Sequence, residues 1–119
     1  MNKPTEEQIK EFWEWCGWHI RREASYSSFF GSNLITTYYV SPDGVSEESF
    51  PPIDLNNLFK YAWEVAVTYL MGHLTHDRIS AIRYLFDKWL EQYIKDGLRD
   101  FESALFWALW ELRAQETNP

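Results

Sequence analysis

The chain has a single cysteine, Cys16, among 119 residues, so no disulfide can close within it and a reducing compartment, the cytoplasm, is the expected setting. Glycine and proline number only five each, which excludes a loop-rich or low-complexity chain. Basic residues are also scarce. Eleven Lys and Arg stand against 18 Asp and Glu, leaving a net charge of -7. This balance opposes binding to a phosphate backbone, where cations must replace condensed counterions, so direct nucleic-acid binding is not expected. No apolar run approaches the roughly 18 residues of a membrane span, and no basic segment precedes an apolar signal stretch, so no membrane association is expected. Gly-rich phosphate loops, Walker motifs, nucleophile elbows and zinc-type cysteine pairs are missing too, and no cofactor is expected.

Aromatic residues, by contrast, are plentiful: seven Trp, seven Tyr and eight Phe. Each buries roughly 150 to 250 Å² when packed, so a few of them account for most of a small core. The surplus is expected at the surface, where aromatic side chains concentrate at interface centres. With 45% apolar residues, the chain can offset the entropy of ordering and is read as one domain over residues 1–119.

Thr5 followed by Glu6, Glu7 and Gln8 is a capping box, which predicts a helix over about 6–16 that stops at Gly17. From Trp18 to Phe50 the helical period gives way to Ser, Thr, Tyr, Gly and Pro, the signature of strands and turns. The clearest strand is Leu34 to Val40. It is followed by the turn Ser41-Pro42-Asp43-Gly44 and a possible return over Val45 to Phe50. Asp54 then caps a helix over about 55–71, predicted to end near Gly72. Thr75 is expected to cap another over about 76–96 that Gly97 closes, and Asp100 a last one over about 101–115. The fold class expected is α+β, a small antiparallel sheet of two or three strands within about residues 18–50 packed with four helices.

Apolar spacing sets Phe12, Trp13, Phe59, Trp63, Phe86 and Trp89 on inward stripes. On the last helix, Phe106, Trp107 and Trp110 add to Phe101, Leu105, Ala108, Leu109 and Leu112. That helix is apolar around most of its girth, so it either packs on two sides or meets a partner. Phe106, Trp107 and Trp110 are therefore the candidate partner-binding residues, for another protein or a second copy of the chain.

Three segments in order, EFWEWCGW at 11–18, YYVSPDG at 38–44 and PPIDLNNLFKYAW at 51–63, resemble small uncharacterised phage and prophage proteins of the phage α-β-α sandwich type. The resemblance covers roughly the first half of the chain, and its most specific piece is the run from Pro51 to Ala62. It implies helices flanking a small sheet, a viral or prophage origin and hence the host cytoplasm, but no activity.

Chemistry-bearing residues are few. His73, His76 and Asp77 form a His-x-x-His-Asp cluster, three metal-ligand types near a helix start, equally explained by a surface loop and a first-turn acid. Cys16 and His19 invite a thiol-nucleophile pairing, against a small buried thiol on an apolar stripe. Asp43, Glu47, Glu48 and Asp54, with Asn56 and Asn57, make an acidic stretch, read as a wet loop and a capped helix. The reading these features favour is a non-enzymatic accessory protein that binds another protein. The alternatives are an acidic mimic of nucleic acid that blocks a host enzyme, and a small metal- or thiol-dependent hydrolase.

Overall fold

The computed structural model describes residues 3–27 and 31–117. Helix α1 spans Glu6–Trp15 behind a closed capping box, in which the Gln8 N–H donates to Thr5 Oγ1 at 3.1 Å and the Thr5 N–H donates to Gln8 Oε1 at 2.9 Å. At its other end Gly17 adopts φ 101°, and the Trp18 and Gly17 N–H groups donate to the carbonyls of Trp13 and Glu14. This paired closure satisfies two orphan carbonyls and turns the chain directly into the sheet.

Strand β1 covers His19–Ser27 and strand β2 covers Ser32–Val40. They pair antiparallel from His19 opposite Val40 to Ser27 opposite Ser32. Strand β3, Ser46–Glu47, adds a short third strand beside Tyr39 and Val40, in the order β1-β2-β3. It is shorter than the return expected over Val45 to Phe50. Between β2 and β3, Gly44 at φ 86° donates its N–H to the Ser41 carbonyl, which closes the anticipated turn. Only the base of the sheet is covered. Val40 is buried and Ile20 and Tyr39 are half-buried, whereas residues 21–26 and 34–37 are exposed whichever face they occupy. The outer hairpin thus projects from the body, whose overall extents are 57 × 32 × 26 Å.

Asp54 caps the next helix as its sequence predicts, its carboxylate accepting from the Asn57 N–H at 2.9 Å. One short turn, α2 (Leu55–Asn57), runs into a π-helical stretch over Leu58–Ala62 and then into α3 (Trp63–His73). The helix ends near Gly72 as expected, at His73, with Leu74 as its cap. Helix α4 spans Arg78–Lys95, and its cap is Asp77 rather than Thr75. The Asp77 carboxylate accepts from the N–H groups of Ile79 and Ser80, while Thr75 Oγ1 accepts from the Asp77 N–H. The longer carboxylate reaches two donors where the hydroxyl reaches one. Gly97 and Leu98, both at positive φ, close α4 by the same paired bonds that end α1. Helix α5 spans Phe101–Thr117 and starts at Asp100, whose carboxylate accepts from the Ser103 N–H at 3.0 Å.

The buried cluster centres on α5, where Ala104, Leu105, Phe106, Leu109 and Leu112 are all almost fully enclosed. Phe106 meets Phe12 of α1 with ring centroids 4.8 Å apart, and α5 packs along α4 on another side. This two-sided packing accounts for an apolar girth wider than one face. Two indole N–H groups pin the assembly: Trp13 donates to the Pro51 carbonyl at 3.0 Å, and Trp89 donates to that of Phe101 at 2.8 Å. The architecture is α+β, a small antiparallel sheet with four helical bodies among the described residues, and none of these helices is long and apolar enough to cross a membrane.

Candidate functional site

Helix α4 presents two apolar arcs, and only one of them is covered. Ala81, Leu85 and Trp89 turn inward and are buried, as is Gln92, whose amide donates to Glu111 of α5 at 2.7 Å. Ile79, Phe86, Leu90 and Ile94, spaced seven, four and four residues apart, share a separate stripe, because such spacings return to one side of a helix. These four are between 51% and 63% exposed. The residues between the two arcs, Ile82 and Tyr93, are half-buried.

Neighbouring elements extend this stripe into a face. Phe59, carried outward on the π-helical stretch, is 42% exposed and packs edge-on against Trp63 and Trp89. Trp63 in turn meets Phe86 at 5.4 Å between centroids, and Phe86 stacks near-parallel on Trp89. On the other side Phe101, at 44% exposure, stacks on Trp89 at 4.2 Å and meets Tyr93 edge-on. Each ring is thus held by a neighbour while its other side stays in water. The face is ordered by aromatic contacts that already exist, so little side-chain entropy is left to lose when something covers it.

The residues expected to meet a partner lie elsewhere. Phe106 is fully enclosed against Phe12 and cannot touch another molecule. Trp107 and Trp110 are half-buried and packed against the core, and the Arg113 guanidinium sits 3.9 Å over the Trp110 ring. Conversely Phe59 and Phe86, expected inside, are the exposed ones. The signal was present in the sequence as the full apolar arc of α4, from Leu85 round to Ile94, which is wider than one neighbouring helix can cover.

The chemical candidates are not assembled. His73 hydrogen-bonds through Nδ1 to the Tyr69 carbonyl at 2.8 Å and stacks on the Tyr69 ring. The Asp77 carboxylate is engaged in capping, and the Ser80 hydroxyl and the two backbone N–H groups hold its pKa below the usual carboxylate range. Among the described residues, no three His, Cys, Asp or Glu side chains converge to hold a metal ion, so His73, His76 and Asp77 do not form one ligand set. Cys16 is 4% exposed, and burial pushes its thiol well above its ordinary value, which disfavours the thiolate a nucleophile needs. His19 stands exposed at the start of β1. Of the acidic stretch, Asp43, Glu47 and Glu48 are exposed around the β2–β3 turn, and Asp54 is tied into its cap.

Comparison of the chain with protein-family models, with curated proteins and with solved structures returns no match.

Proposed function

We propose that this chain is a non-enzymatic protein-binding module, an accessory protein of the phage or prophage type that its sequence resembles, and that it docks through the aromatic face of α4. The observation that carries the reading is the face itself. Phe59, Ile79, Phe86, Leu90, Ile94 and Phe101 each leave more than two-fifths of their surface in water. At roughly 100 to 250 Å² per side chain, they display on the order of 500 Å² of apolar surface. That matches the largest patch found on an ordinary monomer, about 300 to 600 Å², a size often tied to function. Single exposed apolar residues need no explanation, but Phe59, Phe86 and Phe101 joined through Trp63 and Trp89, beside Ile79, Leu90 and Ile94 on one helix stripe, make a surface with the composition of an interface centre. The ion pair of Arg78 with Glu64, together with exposed Lys60, supplies a polar rim.

A photo-reactive phenylalanine analogue placed at Leu90, in the chain expressed in cells, tests the reading. Irradiation should join it to a polypeptide identifiable by mass spectrometry, while the same probe at Glu7, on the wet side of α1, should give none. Equal yields at the two positions sink the proposal.

A further inference from the structure

We infer that the face of α4 takes a second copy of this chain, the two α4 helices lying antiparallel about a twofold axis beside Phe86. The inference rests on the protein-docking reading above and names its partner. Its first support is the order of residues along the stripe, which is nearly palindromic. Ile79 stands seven residues before Phe86 and Ile94 eight after it, with Arg83 and Leu90 placed symmetrically between. A twofold operation therefore sets Ile79 against Ile94 of the mate, Phe86 beside its own counterpart, and Leu90 on the aliphatic stem of Arg83.

Charge gives the second support. Arg83 and Asp87, opposite in sign and one turn apart, lie toward the same edge of the stripe. Both are exposed, and Arg83 also lies close enough to Asp77 to help lower its pKa. Antiparallel apposition brings each guanidinium within reach of the mate's Asp87, so the complementary pair forms twice per dimer. Parallel apposition would instead carry the mate's Arg83 and Asp87 to the opposite edge, out of reach of their complements, which selects the orientation.

Area is the third. A homodimer interface of roughly 800 Å² per copy, about 65% apolar, contains on the order of 500 Å² of apolar surface. The face displays about that much. An isologous contact also supplies both halves of the complementarity from one sequence, with no second protein needed to present a matching aromatic surface.

Sedimentation equilibrium on the full chain, from about 1 to 100 µM, reads the association constant across the range ordinary for such interfaces. The expected result is a species of twice the 14.3 kDa chain mass that Phe86→Glu reduces to monomer with an unchanged far-UV spectrum. Because that change inserts a charge beside aromatic packing, the charge pair provides a gentler test. Arg83→Asp and Asp87→Arg should each weaken association by roughly tenfold, and the double exchange should restore it. A wild-type chain that stays monomeric, or single reversals that leave the constant unchanged, overturns the inference. If the probe at Leu90 then still captures a different polypeptide, the second copy is excluded while the protein-docking reading stands.

Discussion

Single side chains divide sharply by what surrounds them. Phe106 is enclosed by Phe12, Trp107 and Trp110, so Phe106→Ala should cost about 3 to 5 kcal/mol through lost transfer energy and the cavity left behind. Phe59→Ala removes a ring already 42% in water and should cost less than half as much. Urea unfolding of the two variants at low concentration reads the contrast, and equal losses would contradict the burial described. The capping carboxylates make a second prediction. Hydrogen bonds from the Ser80 hydroxyl to Asp77 and from the Ser103 hydroxyl to Asp100 lower both pKa values, with the capped N–H groups adding to the effect. A carboxyl depressed in the folded state contributes stability that is fully present above its unfolded value and is lost as pH falls through the folded one. Thermal midpoints should therefore hold steady down to about pH 4 and decline below it, and replacing Asp77 and Asp100 by Asn should flatten that acid limb.

At the level of elements, the ends of the helices were the most legible part of the sequence. The Thr5 box, the Asp54 and Asp100 caps, and the Gly17 and Gly97 closures each follow from short-range chemistry that needs no knowledge of the fold. The Gly17 closure also carries a prediction. At φ 101° a side chain is strained, and a Cβ there would approach the Pro42 ring to 3.3 Å, so Gly17→Ala should lower stability by about 1 to 2 kcal/mol. An unchanged denaturation midpoint would show that the closure tolerates a substituent. What the sequence did not reveal is which sector of each helix receives a neighbour. Helical spacing shows that α4 and α5 are both broadly apolar, and nothing local distinguishes a helix wrapped on two sides from one wrapped on one. Local spacing therefore places the expected surplus on α5, whose Phe106 is inside, and not on α4, whose Phe86 is outside. Thr75 and Asp77 show the same limit on a smaller scale. Two good capping residues stand two apart, and tertiary packing decides between them.

Over the whole molecule, the projecting hairpin dominates the shape. The radius of gyration is 17.5 Å, against roughly 13.5 Å for a compact chain of this length. Small-angle scattering on the Phe86→Glu variant should return the larger value. Replacing residues 23–36 by a two-residue turn should bring it toward the smaller one without loss of helical signal, since the outer hairpin covers none of the core. A collapse of that signal would show that the arm supports the body. The π-helical stretch has a consequence of a different kind. In it the Trp63 N–H reaches back five residues to the Leu58 carbonyl, one more than an α-helix allows, so the turn holds a single supernumerary residue. Deleting one residue within Leu58–Ala62 would restore the ordinary period, and because the widened turn absorbs its extra residue, the segments on either side would keep nearly the same phase. Phe59 would then stay on the side of Trp63 and Trp89, and α4 would keep its stripe. One turn of the helix thus carries a spare residue, the place where a chain one codon shorter keeps both the fold and the face.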